Sequence, residues 1–207
     1  MFGLSRSGQL RATVTLAGAT NVDWEDIAIR GRTLYVADIG DNLAARSEIA
    51  IYRFAEPAPG TSTVPADRIV LRYPDGPRDA EALLIDPRSG TVVIVTKDIG
   101  GRSDVYVAGR NGLRRAARLQ LGIGQAITAG DVSGDGRTIV LRSYDRAFVW
   151  AKRRTESIAT ALRRAPCAAD ADLIEEGQGE ALALTRDGRA FYTVPEGVGA
   201  PLRRYAR

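Results

Sequence analysis

The sequence predicts an all-β fold, a β-propeller with four visible blades, and three observations support this prediction. Four segments repeat one pattern: an acidic residue, an apolar strand, a polar turn and a second apolar strand. The acids that open these segments follow one another by 55, 50 and 49 positions, a spacing typical of four-stranded blades. Only one stretch of the 207 residues has the pattern of a helix. The four opening acids are Asp26, Glu81, Asp131 and Glu180.

The outer strands follow each inner hairpin in the same order along the chain. Turn residues such as Asp75-Gly76-Pro77 and Asn111-Gly112 separate them, and the pairs Asp135-Gly136 and Asp187-Gly188 are expected to serve hairpin turns alone. The third strands are predicted at Glu48–Phe54, Asp104–Ala108, Ala147–Trp150 and Leu202–Tyr205, and fourth strands at Arg68–Tyr73 and Arg114–Leu121. The single helix is predicted over Thr155–Arg164, with Thr155 as its N-cap and basic residues in its last turn.

The first predicted strand, Gln9–Leu16, has two interpretations. It could complete the fourth blade and close a small four-bladed ring, since propellers usually close by pairing strands from both termini. Alternatively, it is the outermost strand of a first blade whose inner strands are missing. We favour the second interpretation, so residues 1–207 are expected to form a single propeller domain that lacks most of an N-terminal fifth blade.

The composition excludes several classes of function. The chain has no histidine, which excludes Ser-His-Asp and Cys-His catalysis and His-ligated zinc within it. Cys167 is alone and forms no internal disulfide. Of the 29 basic residues only Lys97 and Lys152 are lysine, and the arginine clusters lack interleaved aromatic residues, so nucleic-acid binding is not expected. No apolar run reaches membrane-spanning length and the N-terminus is not a signal peptide. We expect a monomer.

Acidic side chains concentrate at one mouth of the predicted propeller. The loops that enter the first strands and those that leave the second strands open on the same face. Two carboxylates about 6 Å apart repel by roughly 3 kcal/mol, so such a cluster requires a cation, basic partners or raised pKa values. Oxygen ligands without His or Cys suit calcium, Ca2+. The candidate metal ligands are Asp26, Glu81, Asp131, Glu180, Asp38, Asp41 and Asn42.

Three roles for these acids stay open. They could accept backbone N–H groups from a neighbouring blade, hold a cation, or take part in catalysis. In the catalytic case Glu81 or Asp26 would activate water, and Lys97 or Arg142 would stabilise the developing negative charge. The chain is therefore predicted to be a ligand- or partner-binding propeller with a cation site at its mouth. The alternative is a metal-dependent hydrolase of esters, lactones or phosphoesters.

Several motifs resemble a family of uncharacterised bacterial propeller proteins, with similarity from about Gly3 to Arg207. The motifs are Asn21–Ala28, Asp38–Asn42, Tyr73–Leu84, Thr96–Asp98 and Gly179–Ala181. The resemblance implies a longer parent with one more N-terminal blade and often an export signal, hence an extracellular or periplasmic location. The layout is more distantly similar to the calcium-dependent propeller lactonases and phytases.

Overall fold

The computed structural model describes residues 1–5, 7–167, 171–174 and 176–206. Within these ranges the regular structure consists of antiparallel β-sheets, one two-stranded parallel sheet and one four-residue helix, which confirms the all-β prediction. The described part contains no helix of the length and hydropathy needed to cross a membrane.

The strands are three to seven residues long, apart from one strand of two residues. In chain order they are β1 (Phe2–Leu4), β2 (Leu10–Thr13), β3 (Thr15–Ala17), β4 (Trp24–Arg30), β5 (Thr33–Asp38), β6 (Ile49–Ala55), β7 (Thr63–Pro65), β8 (Asp67–Leu71), β9 (Ala80–Ile85), β10 (Val92–Thr96), β11 (Asp104–Gly109), β12 (Gly112–Arg118), β13 (Ala129–Val132), β14 (Thr138–Arg142), β15 (Arg146–Ala151), β16 (Ala171–Asp172), β17 (Gly179–Leu184), β18 (Ala190–Pro195) and β19 (Arg203–Ala206). The helix α1 spans Ile158–Ala161.

Four sheets correspond to the four predicted repeats. Sheet 1 has the order β4-β5-β6-β8, sheet 2 the order β9-β10-β11-β12, sheet 3 the order β13-β14-β15-β16 and sheet 4 the order β17-β18-β19. Their first strands pack side by side in chain order, β4 against β9, β9 against β13 and β13 against β17. β4 and β17 both line an open cleft of about 420 Å³, where Ile27 is 51% exposed. The number of blades and the closure of a ring stay predictions.

The core lies between neighbouring sheets. Separate apolar clusters join sheet 1 to sheet 2, sheet 2 to sheet 3, and sheet 3 to sheet 4. Sheet 2 is therefore covered on both faces, and all side chains of β9 and β10 are buried. This explains why these strands have continuous apolar sequences rather than strict alternation.

The hairpin turns predicted at Asp-Gly pairs are confirmed in sheets 3 and 4. Gly136 and Gly188 have φ values of 73° and 68°, a conformation that residues with a Cβ rarely adopt. The preceding aspartates accept hydrogen bonds from the backbone N–H two residues later, at 2.9 Å for Asp135 and 3.1 Å for Asp187. These residues serve the turns.

The helix is shorter than predicted and begins later. Ser157, rather than Thr155, is the N-cap, and its hydroxyl accepts the N–H of Thr160 at 3.1 Å. Glu156 lies before the helix, where its carboxylate accepts the N–H of Arg153 and pairs with Arg164.

The predicted strand Gln9–Leu16 is divided in two. β2 pairs with β1 in an antiparallel hairpin, and β3 pairs in parallel with β7. Among the described residues neither strand extends sheet 4, so the interpretation in which this segment completes the fourth blade is not observed. Leu16 and Val64 are buried against sheet 1, and this packing accounts for the parallel pair, which the sequence pattern did not indicate.

Candidate binding site at the acidic mouth

Three of the four inner strands carry a β-bulge at the same end, and the extra residue is a glutamate each time. In sheet 2, Val95 faces Ala82 and Thr96 faces Ala80, which leaves Glu81 outside the pairing. The same interruption leaves out Glu25 in sheet 1 and Glu180 in sheet 4. Bulges redirect side chains and are frequent beside functional sites. The three bulged glutamates therefore point to one region at the entrance of the inner strands.

The register of the inner strands changes which acidic residues of the four repeats are equivalent. Glu25, rather than Asp26, occupies the position of Glu81 and Glu180. In sheet 3, the pairing from Ala129 to Val132 runs without a bulge, so no glutamate has this position there. A sequence signal existed: an Asp or Gln stands two residues before each bulged Glu, at Asp23, Asp79 and Gln178.

The bulged glutamates line a cavity of about 530 Å³, which we call the mouth cavity. Sheet 3 contributes Tyr144 to its wall, so residues from all four sheets meet there. Its other polar or charged lining residues are Asp23, Asn42, Lys97, Gln178 and Glu196. The lining holds five carboxylates and one ammonium group, a formal charge of −4.

Glu81 is the most buried of the three glutamates, with 3% of its surface exposed. One carboxylate oxygen, Oε1, pairs with Lys97 Nζ, which lies 5.4 Å from the centre of the Tyr144 ring. The other oxygen, Oε2, is buried without a hydrogen-bond partner among the described residues. Burial raises the pKa of Glu81 to about 7, although Lys97 acts in the opposite direction. A buried acceptor without a donor is costly, so Oε2 is the atom that a ligand would satisfy.

Glu25 lies close to another acid. Burial, the charges of Glu81 and Asp23 and a hydrogen bond with the Asp23 carboxyl group together raise the pKa of Glu25 to about 8. Both groups lie over the Cα of Gly40, where a Cβ atom would overlap with them. Glycine at position 40 thus permits two carboxyl groups to approach each other at the mouth.

A lysine accompanies only one of the three bulged glutamates. In each of the three sheets, one backbone N–H donates to the carbonyl oxygen of the residue that lies two positions before the bulged glutamate. The donors are Ile39, Lys97 and Glu196, so these three positions are structurally equivalent. Sheet 4 therefore has an acid where sheet 2 has its lysine. Burial, and then the Glu196 charge, raises the pKa of Glu180.

Asp26 and Asp131, predicted at this mouth, instead join neighbouring sheets. Oδ2 of Asp26 accepts the N–H of Leu83 in sheet 2 at 2.7 Å and that of Gly130 in sheet 3 at 3.4 Å. Oδ2 of Asp131 accepts the N–H of Leu184 in sheet 4 at 2.8 Å. An innermost strand has free N–H groups on its inner edge, and these carboxylates satisfy them. This is the backbone-binding role left open above.

The predicted ligands at the end of β5 and in the loop after it are engaged with the loops next to β4 and β5. Asp38 accepts the N–H groups of two residues and pairs with Arg46 at 2.9 Å. Asp41 accepts the N–H groups of Ala45 and Arg46 at 2.9 and 2.8 Å. Asn42 alone of this group lines the mouth cavity.

Arg142 lies outside the mouth cavity and is fully buried. Its guanidinium group binds Glu176 at 2.9 Å and the carbonyl oxygens of Ser143, Tyr144 and Ala181. Arg142 was predicted to stabilise negative charge during catalysis. In the structure its guanidinium group instead makes four hydrogen bonds to groups of the protein itself. Of the four predicted catalytic residues, Glu81 and Lys97 are the two that the structure places in the mouth cavity.

No three His, Cys, Asp or Glu side chains in the described part of the chain are gathered closely enough to hold a metal ion. Apart from Lys97 and the amide nitrogens of Asn42 and Gln178, the polar and charged side chains named above present oxygen atoms to the cavity, and these can act as metal ligands. This donor set fits a hard cation. The glutamates would have to converge on that ion by side-chain rotation.

Comparison with solved structures supports a propeller-like fold. The chain is 13% identical to the periplasmic gluconolactonase PpgL of Pseudomonas aeruginosa over 96% of its own length, with a TM-score of 0.52. It is 13% identical to the β-propeller domain of Cps50 (Swd1) from Myceliophteria thermophila over 97% of its length, with a TM-score of 0.53. A proposed 6-phosphogluconolactonase of Bacteroides uniformis gives 13% identity over 94% and a TM-score of 0.50.

The chain spans 60% of the Pseudomonas protein, 56% of the Bacteroides protein and 74% of the Cps50 domain. Identity this low shows likeness of fold alone. No protein-family model and no curated protein matches the sequence, so the resemblance to a bacterial family stays a prediction.

Proposed function

We propose that the chain is a ligand-binding β-propeller that holds a cation in its mouth cavity, with calcium as the ion that the donor set favours. The buried Oε2 atom of Glu81, which has no hydrogen-bond partner among the described residues, carries this proposal. Oxygen atoms of other buried carboxylates usually accept a hydrogen bond, and at Oε2 a cation would take the position of the hydrogen-bond donor.

The charge distribution of the cavity supports the proposal. Three sheets each present one glutamate, and Lys97 neutralises only Glu81. Burial and the charges of neighbouring carboxylates raise the pKa values of both Glu25 and Glu180, so negative charge is disfavoured in this cavity. A divalent ion would relieve the same repulsion.

The residues that would hold the ion are Glu25, Glu81 and Glu180, with the side-chain oxygen of Asn42 as a further donor. Calcium accepts flexible carboxylate geometry and six to eight oxygen ligands. When bound, it would supply positive charge between the inner strands of three sheets. It would thereby link these sheets and stabilise the folded state.

The direct test is thermal unfolding of the wild-type protein with calcium, with magnesium and with a chelator. An ion present at 100 times its dissociation constant stabilises by about 2.7 kcal/mol. For a chain of this size that corresponds to a rise in Tm of roughly 5–10 °C. We expect this rise with calcium, and we expect it to disappear in Glu81→Gln and in Glu25→Gln.

Glu56→Gln is the matched control, because Glu56 is a largely exposed glutamate whose ion pair with Arg32 is 4.0 Å long. This variant should keep the full response to calcium. An unchanged Tm in the wild type at millimolar calcium would remove the cation from the proposal. Equal loss of the response in Glu56→Gln would show that the ion acts elsewhere.

A second candidate function is metal-dependent hydrolysis of an ester, lactone or phosphoester. The observation that favours it is a carboxylate and an ammonium group side by side in one cavity, Glu81 and Lys97. Glu81 would take a proton from water, the water oxygen would attack the carbonyl or phosphoryl centre, and Lys97 would stabilise the developing negative charge. The bond from that centre to the leaving oxygen would then break, and the proton held by Glu81 would pass to the leaving oxygen.

Nitrophenyl esters and phosphates, assayed with and without calcium, distinguish the two functions. Turnover that Glu81→Gln abolishes and Glu56→Gln retains would support the hydrolase. A rise in Tm with calcium but without turnover of any of these substrates would support binding alone.

A further inference from the structure

A second cavity lies at the opposite end of sheet 2 from the mouth. β9 runs from the mouth to the turn that begins at Asp86, a strand of six residues and so about 20 Å long. The cavity, of about 730 Å³, is enclosed by this turn, by β10 and β11, and by the segment 152–159 that leads into α1. We call it the basic cavity, because its lining holds four basic and two acidic residues.

Lys152 forms the base of this cavity and is 4% exposed. The nearest carboxylate oxygen among the described residues is Asp86 Oδ2, at 3.5 Å from Nζ. Well-formed charged contacts of this kind are about 2.7–2.9 Å long, so this ion pair is loose. Asp86 also accepts the N–H groups of Arg88 and Ser89 at 2.9 and 3.0 Å. Lys152, which carries three donors, therefore retains capacity for an additional acceptor.

Three arginines surround the opening. Arg88 donates to the carbonyl oxygen of Arg154, which ties the turn to the segment before α1. No carboxylate lies within 4 Å of the guanidinium groups of Arg114 and Arg154 in the ranges that the structure describes. Glu156, the second acid of the lining, is already paired with Arg164 and the N–H of Arg153. The positive charge at the opening is thus free to bind an anion.

The inner wall of the basic cavity is apolar. Val93, Val107 and Ile158 line it and are 1%, 8% and 2% exposed. A ligand that fills the cavity must satisfy cationic groups at the opening and base and cover an apolar wall between them. These three side chains are already nearly inaccessible to water, so an organic group would gain mainly van der Waals contact with them.

We propose that the basic cavity binds a small organic phosphate monoester. The phosphoryl group would contact Arg114, Arg154 and Lys152, and the organic part would pack on Val93, Val107 and Ile158. A phosphate monoester offers three acceptor oxygens and close to two negative charges, which matches several converging cationic donors. This site is independent of the acidic mouth and of the function proposed for it.

Isothermal titration of the wild-type protein with phenyl phosphate and with inorganic phosphate tests the proposal. We expect phenyl phosphate to bind more tightly than inorganic phosphate, because only the former also makes van der Waals contact with the apolar wall. Arg114→Gln and Arg154→Gln should each weaken phenyl phosphate binding roughly tenfold, since each removes a charge-assisted hydrogen bond.

Arg110→Gln is the control, because Arg110 is an exposed arginine on the neighbouring turn that does not line the cavity. It should change the affinity less than about twofold. Equal weakening by all three variants would show general attraction to a basic surface and overturn the proposal. Undetectable binding of phenyl phosphate at 10 mM, or affinity no greater than that of inorganic phosphate, would overturn it as well. The three arginines are exposed, so the variants are expected to fold, which circular dichroism verifies.

Discussion

Replacement of Asp26 by alanine tests whether one carboxylate joins three sheets. Oδ2 of Asp26 accepts the N–H of Leu83 at 2.7 Å and that of Gly130 at 3.4 Å, and Oδ1 accepts the N–H of Ile27 at 2.8 Å. Leu83 is fully buried, so its N–H would be left without a partner or water. The perturbation therefore acts on the contact between the inner strands rather than on one surface loop.

The expected loss follows from these contacts. An unsatisfied buried N–H costs about 1–3 kcal/mol. The N–H of Ile27 can bind water because Ile27 is half exposed, and the long bond from Gly130 contributes less than a full hydrogen bond. We expect Asp26→Ala to lower the free energy of unfolding by about 2–4 kcal/mol. Asp26→Asn keeps one acceptor oxygen and should lose about half as much.

Urea denaturation followed by tryptophan fluorescence measures these differences. Asp67→Ala is the matched control, because Asp67 is an exposed aspartate whose single ion pair, with Arg53 at 2.8 Å, should contribute less than about 1 kcal/mol. A loss below about 0.5 kcal/mol in Asp26→Ala, or a loss equal to that of Asp67→Ala, would refute the reasoning that Asp26 ties the sheets together.

Three further variants test the mouth and its supports. Gly40→Ala should destabilise the protein by about 1–3 kcal/mol and weaken the response of Tm to calcium, because the added Cβ displaces the Glu25 carboxyl group. Burial raises the pKa of Asp131 to about 6, so its contribution to stability is full below its usual pKa of 3.8 and is lost as pH rises through 6. Urea denaturation should therefore show the stability of the wild type relative to Asp131→Asn falling by about 1–3 kcal/mol between pH 4 and pH 7. Arg142→Met should cost about 3–5 kcal/mol in the same assay, since it leaves the Glu176 carboxylate buried without its main partner.

Each of these expectations has a result that contradicts it. For position 40, an alanine variant with an unchanged Tm and an unchanged calcium response would show that the mouth cavity does not require a residue without a Cβ atom there. For Asp131, a stability difference that stays constant or grows between pH 4 and pH 7 would reverse the assigned sign. For Arg142, a loss no greater than that of the exposed pair variant Arg53→Ala would show that the buried pair contributes little.

The hairpins of the inner strands were predictable because they depend on local signals. Apolar runs bounded by turn residues indicated β9 and β10, and the Asp-Gly pairs indicated turns that need a positive φ. The helix was predicted too long because a periodic pattern alone does not say which of Thr155 and Ser157 caps it. In the structure Ser157 is the N-cap, and Glu156 lies before the helix and accepts the N–H of Arg153.

The candidate site was predicted in part. Acids near the starts of the inner strands indicated an acidic mouth, and Glu81, Glu180 and Lys97 do line it. Glu25 was passed over in favour of Asp26 because the repeats were aligned by the acid directly before each apolar run. A β-bulge shifts the register by one residue, and one residue reverses the face on which a side chain lies.

The sequence by itself determined the class of fold, the repeat and the concentration of acids near the inner strands. These features follow from strand periodicity, turn chemistry and charge, all of which act between residues close in the chain. Only the tertiary structure decided which acids bind backbone N–H groups of another sheet and which point into a shared cavity. Leu83 lies 57 positions from Asp26, and no local pattern specifies that contact, because it depends on how neighbouring sheets pack.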